Sequence, residues 1–162
     1  MTLLTFKRAT AILLLVVLCA CSSKSGGVAG IGGSGLPSSQ LDAQIAAAIG
    51  DPTTCVLLAD KATGKVLYTY GTDFNCSRGL PACDSQTTLN AKAALQFATE
   101  PNSRFASCAS LPDGSRMVGW AEGAVQSTKH SLVYSAVMEG QRALPGHEIN
   151  ARLYDAFSKA GL

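Results

Sequence analysis

Thiols carry the most telling chemistry in this chain. Downstream of Cys21 stand four more cysteines, Cys55, Cys76, Cys83 and Cys108. Sulfurs in such a set either ligate zinc or close disulfides. The gap from Cys76 to Cys83 is not a C-x-x-C, and neither histidine falls within metal-site spacing, so no metal site is expected. An even number of cysteines in an exported domain reads as two disulfides. Four cysteines allow three pairings, which remain open at this stage. Hairpin geometry favours Cys55–Cys76 with Cys83–Cys108. If the chain turns near Ala62–Thr63, Cys55 lies opposite about Tyr70, and Cys76 is a short reach beyond the strand end.

The other polar candidates are plainer. His130 opens a strand after Lys129 and reads as a solvated loop residue. His147 and Glu148 fall in the first turn of the last helix, where the helix dipole favours Glu148 without any catalytic role. Asp84-Ser85 reads as a turn before a helix. Trp120, Tyr68, Tyr70 and Tyr134 alternate along strands, which places them in a core more readily than on a ligand face. No catalytic residue and no cofactor-binding residue is assigned.

The stretch Leu18-Cys19-Ala20-Cys21 resembles the lipobox of bacterial lipoproteins. Lys7 and Arg8 precede an apolar run from Ala9 to Leu18, the pattern of a secretory signal. That run is too short for a spanning helix, which needs roughly 20 apolar residues. The resemblance implies that residues 1–20 are a signal peptide and that Cys21 is diacylated as the first mature residue. Each buried acyl CH₂ contributes about 0.8 kcal/mol, so two chains anchor stably without spanning the bilayer. Ser22, in place of an aspartate, resembles the pattern for export to the outer membrane. Residues 21–39 then comprise the lipidated cysteine and a Gly/Ser-rich tether, SSKSGGVAGIGGSGLPSS. A Gly-rich coil of that length holds a domain roughly 20–25 Å from the membrane on average. No strand precedes its glycines, which argues against a phosphate loop.

Residues 40–162 are left as one α+β domain, about 125 residues and large enough for a real hydrophobic core. The formal net charge is +2 with no basic run, so nucleic-acid binding has no electrostatic footprint.

Leu41, Ile45, Ala48 and Ile49 make one stripe of a short helix, with Ser39 and Asp42 as a capping-box variant. Gly50 and Asp51-Pro52 end it. Thr54–Asp60 and Lys65–Tyr70 form a hairpin, with Val66, Tyr68 and Tyr70 on one face. Residues from Gly71 to Gln86 are irregular, and a loop of that length is unusual unless stapled. Leu89–Ala98 is a helix stopped by Glu100-Pro101. Arg104–Ala109, Ser115–Glu122 and Ser131–Glu139 are strands, the first two joined by a Pro112-Asp113-Gly114 turn. The last helix begins at Pro145-Gly146, with Ile149, Leu153, Ala156, Phe157 and Ala160 inward and Glu148–Arg152 and Asp155–Lys159 as i, i+4 pairs outward.

This order, helix, two strands, helix, three strands, helix, fits a single five-stranded antiparallel sheet. It is similar to that of the roadblock/profilin-like domains. It is also similar to the serine β-lactamase/penicillin-binding scaffold without its large helical subdomain. The phrases TCVLLADKATGKVLYTYG and SRMVGWAEG with HSLVYSAVMEG resemble the opening hairpin and last two strands of the second family. Either resemblance implies strand order 2-1-5-4-3, with the N- and C-terminal helices packed on one face and a third helix between strands 2 and 3. The second family's chemistry needs Ser-x-x-Lys. Three residues before Lys24, Lys61, Lys65, Lys92, Lys129 and Lys159 stand Cys21, Leu58, Ala62, Leu89, Gln126 and Ala156. There is no Ser-Asp-Asn, and Phe105-Ala106-Ser107-Cys108 stands where Lys-Thr-Gly would fall.

The expectation is a cell-envelope lipoprotein, held at the outer membrane facing the periplasm, with a non-catalytic binding or scaffold domain. Its partners would be the membrane through its lipid, and an envelope protein, peptidoglycan or a second copy. An unrecognised or degenerate serine-hydrolase-like enzyme and a peptidoglycan-associated structural lipoprotein are the alternatives.

Overall fold

The computed structural model describes residues 35–99 and 103–162. Cys21, the signal run, most of the tether and the Glu100-Pro101 helix stop lie outside the described residues. The elements are α1 (Ser38–Ile49), β1 (Cys55–Asp60), β2 (Val66–Tyr70), α2 (Asp73–Ser77), β3 (Leu80–Pro81), β4 (Thr88–Leu89) and α3 (Ala91–Ala94). A 3₁₀ turn (Leu95–Thr99) continues α3, and β5 (Arg104–Ala109), β6 (Met117–Ala124), β7 (Leu132–Gly140) and α4 (Gly146–Lys159) complete the domain. Among the described residues it is α+β, with a five-stranded antiparallel sheet and four α-helices.

The sheet runs β2-β1-β7-β6-β5, while β3 and β4 pair separately. The expected numbering 2-1-5-4-3 therefore changes, because two short strands precede the third long one. The segment between β2 and β5 carries two helices, α2 and α3, where one was expected, while the N- and C-terminal helices share one face. On one face α1 and α4 bury Leu41, Ile45, Ile149, Leu153 and Phe157 against Val56, Leu58, Ala121 and Ala136. On the other, α3 and its 3₁₀ turn bury Ala91, Ala94, Leu95 and Ala98 against Leu57, Val118, Trp120 and Val137. Both faces are covered, so β1, β6 and β7 read as near-continuous apolar runs and lose their alternation.

Local chemistry explains the element ends. The expected capping box is not made: Ser39 Oγ donates to Gln40 Oε1 (2.9 Å), and Asp42 instead accepts from the Tyr68 hydroxyl (2.7 Å). Helix α1 stops at Gly50, where an added Cβ would lie 2.2 Å from Ala46 O. A β-bulge between Leu58 and Ala59 shifts the hairpin register. Val66 consequently packs with the α3-side core, while Tyr68 and Tyr70 pack on the α1/α4 side, against the expectation of a shared face. Tyr70 lies opposite Val56, one residue from the expected Cys55.

The segment 71–86 is less irregular than expected. Thr72 caps α2 by accepting from Asn75 N (3.2 Å), and the Asn75 amide donates to Pro52 O (2.7 Å). The expected helix Leu89–Ala98 is divided: Leu89 belongs to β4, Asn90 caps α3, and only Ala91–Ala94 is α-helical. In α4 the Glu148–Arg152 pair closes at 2.8 Å, while no ion pair joins Asp155 to Lys159. Pro145 offers no side-chain cap; the first amide of α4, Gly146 N, donates to Ser107 Oγ on β5 (2.8 Å). Gly146 is required there, since a Cβ would fall 2.0 Å from Trp120 O.

Candidate functional site

The four downstream cysteines form two disulfides, Cys55–Cys76 (Cα–Cα 5.2 Å) and Cys83–Cys108 (5.4 Å). The first ties β1 to α2; the second ties the segment after β3 to β5. Among the described residues, no three His, Cys, Asp or Glu side chains converge as a metal set would.

Ionic chemistry collects on the α3 side of the sheet, in two clusters. Glu122 on β6 is fully buried. Arg104, directly across on β5, donates Nη1 to both of its carboxylate oxygens at 3.1 Å. The same guanidinium reaches Ala82 O (2.8 Å) and Asp84 Oδ2 (2.8 Å), and sits 4.4 Å above the Phe97 ring. Burial pushes the Glu122 carboxyl up to about 7, against the pull of Arg104. Exposed Asp84 is held below the usual carboxylate range by the Arg104 hydrogen bond.

Glu139 on β7 forms the second cluster. It accepts from Arg116 Nε and Nη2 (2.7 Å each), Ser110 Oγ (2.7 Å) and Arg78 Nη2 (3.0 Å). The Arg116 hydrogen bonds lead in holding its carboxyl down to about 2, and Ser110 and Arg78 add to them. Two glutamates on adjacent strands thus diverge because one meets a single guanidinium in full burial and the other meets two cations and a hydroxyl. Within this face Ser135 Oγ, in register with Glu122, is buried without a hydrogen-bond partner.

A different environment occurs on the opposite face. Between α4 and the ends of β6 and β7 lies a cleft of about 190 Å³. Its polar lining is Ser103, Gln126, Tyr134, Asn150, Tyr154 and Ser158; Ala124, Val125 and Phe157 supply its apolar part. Tyr134 is buried, and its hydroxyl donates a hydrogen bond to Asn150 Oδ1. The ring meets Phe157 edge-on, with centroids 5.4 Å apart. Gly123 stands opposite Tyr134 in the sheet, and a Cβ there would lie 3.3 Å from the ring and 2.6 Å from Ser103 Oγ. Burial raises the Tyr134 phenol well above its ordinary value, so it stays a donor. At the rim the Tyr154 hydroxyl makes a long 3.4 Å bond to Gln126 Oε1. The lining contains no Asp, Glu, Lys, Arg or His side chain. The cleft can therefore hold a ligand through hydrogen bonds and ring contacts, and its lining supplies no charge to a reacting group.

The residues weighed from sequence fall as follows. Trp120 is fully buried, with its indole N–H donating to Pro81 O (2.8 Å), and Tyr68 is core. Asp84 belongs to the Arg104 cluster, while Ser85 Oγ pairs with Thr87 Oγ1 at 2.8 Å. His147 is exposed at the start of α4, and the His130 backbone N–H donates to Ser127 Oγ at 3.2 Å. Sequence reasoning missed Arg104–Glu122, the Glu139 cluster and the Tyr134–Asn150 pair. The first was within reach, because the turn at Pro112-Asp113-Gly114 places Arg104 and Glu122 symmetrically about Asp113. The other two join elements with no such local signal. Comparison with family models, with curated proteins and with solved structures finds no match to this chain.

Proposed function

We propose that this chain is a bacterial cell-envelope lipoprotein, anchored through an acylated Cys21 to the outer membrane and facing the periplasm. Its disulfide-stapled domain binds another envelope component and breaks no bond in it. The observation that carries the binding half is the separation of chemistry between the two faces. The strongly paired ions, Arg104–Glu122 and Glu139 with Arg78 and Arg116, serve the α3 side. The accessible cleft is lined by neutral groups. The anchoring half rests on the lipobox resemblance at Leu18–Cys21. No helix among the described residues is long and apolar enough to cross a membrane.

The test expresses the whole chain in a Gram-negative host fed an alkyne fatty acid. Label on the wild type in the outer-membrane fraction, abolished in Cys21→Ala, is the expected result. Label retained by the variant, or an unlabelled wild type, refutes the anchor. Covalent capture of a serine-directed probe, lost on one Ser→Ala change, refutes the non-catalytic half.

A further inference from the structure

We infer that the cleft between α4 and the β6–β7 ends is a binding site for a neutral sugar ring of a glycan. This rests on the binding reading above and names its ligand class. Charge decides first. An ionised ligand would be desolvated against Ser103, Gln126, Tyr134, Asn150, Tyr154 and Ser158 without a counter-charge. Such burial is unfavourable unless the charge is paired.

Hydrogen-bonding capacity decides next. The accessible lining consists of amides and hydroxyls, each of which both donates and accepts. Sugar hydroxyls have the same dual character. Asn150 is preorganised, because Tyr134 donates to its Oδ1 and fixes the carboxamide, leaving the Nδ2 protons with no acceptor among the described residues.

The ring contacts complete the match. Tyr154 is 53 % exposed although it sits on the helix that builds the core, and it stands at the cleft rim beside Gln126. An aromatic face at that place suits the C–H surface of a pyranose, while Ala124, Val125 and Phe157 suit an apolar substituent such as an acetamido methyl. Size sets the extent. The 190 Å³ volume lies below the roughly 300 Å³ of drug-sized pockets. It encloses one ring, and the neighbouring units of a chain leave past exposed Gln126, Tyr154 and Ser158.

The experiment is ligand-observed saturation-transfer NMR on the whole chain in detergent micelles. The probes are tri-N-acetylchitotriose, maltotriose and, as the charged control, trigalacturonate. Transfer to a neutral trisaccharide is expected, and the acetylated probe winning over maltotriose assigns the site to an amino-sugar glycan. Tyr154→Ala should weaken that binding about tenfold, the loss of one ring contact. Unchanged Trp120 emission verifies that the variant is folded, and Gln126→Ala provides a second, surface-only variant. No transfer to either neutral probe at millimolar concentration overturns the site, as does Tyr154→Ala binding like wild type or trigalacturonate binding equally well. A chain that ignores the sugars but crosslinks to an envelope protein refutes the sugar site and leaves the binding reading intact. A chain that binds the trisaccharide and hydrolyses it refutes the non-catalytic reading and leaves the site intact.

Discussion

Replacing Glu122 by glutamine isolates the energetics of one carboxyl that the fold removes from water. The side chain is fully buried between β5 and β7, with Arg104 as its cation. Burial outweighs that cation and raises the carboxyl from 4.5 to about 7. A folded-state value above the unfolded one means that the native protein binds a proton more tightly than the unfolded chain does. Stability from this group is therefore fully present below about pH 4.5 and is lost as pH rises through about 7. At about 1.4 kcal/mol for each tenfold change in proton affinity, the swing amounts to about 3 kcal/mol. Glutamine has the same shape, still accepts from Arg104 and does not titrate. The assay is urea unfolding of wild type and Glu122→Gln from pH 4 to pH 8, followed by emission of the single, buried Trp120. The variant should gain on wild type by about 3 kcal/mol across that range, whatever its offset at pH 4. Glu139 opposes this trend in more acid solution, because its depressed carboxyl contributes stability that vanishes as pH falls from 4.5 towards about 2. Its contribution is common to both proteins and cancels in the difference. Two curves that run parallel refute the reasoning. A variant that loses ground as pH rises shows that Arg104 keeps Glu122 ionised throughout.

The two disulfides close loops of 21 and 25 residues, and the chain-entropy model gives each about 3 kcal/mol. Complete reduction should lower the melting temperature sharply; an unchanged melt, with thiols verified by titration, excludes that contribution. Ser107→Ala removes the acceptor for the first amide of α4 and should destabilise the domain by about 1 kcal/mol. Equal urea midpoints for variant and wild type would show that water replaces the hydroxyl at no loss.

Legibility from sequence followed the range of the interactions. Helix α4 was readable because Ile149, Leu153, Ala156 and Phe157 recur at helical spacing and bury together. The hairpin was readable from a Lys61–Gly64 turn between β-rich runs, though the bulge at Leu58/Ala59 left no local mark. The stretch from Thr72 to Thr99 was readable only in part. Its helices are too short to be stable alone. They are fixed by partners far along the chain: Asn75 on Pro52, Pro81 on Trp120, Ala82 on Arg104. The cleft was hidden for the same reason. Tyr134 looked like one aromatic among several until α4 set Asn150 against its hydroxyl. The burial of both sheet faces was masked because a run such as Leu132–Met138 suits a two-sided core and a one-sided one equally well.

The disulfides also have a mechanical meaning. Cys55 lies on β1 and Cys108 on β5, at opposite flanks of β7 and β6. The chain from Cys76 to Cys83 joins them, so the sulfurs close a strap across the whole width between those strands. Fully drawn out, that strap spans only about 25 Å. A force that unzips β6 from β7 can therefore part Cys55 from Cys108 only to about that reach plus the two disulfide spans before it must rupture a covalent bond.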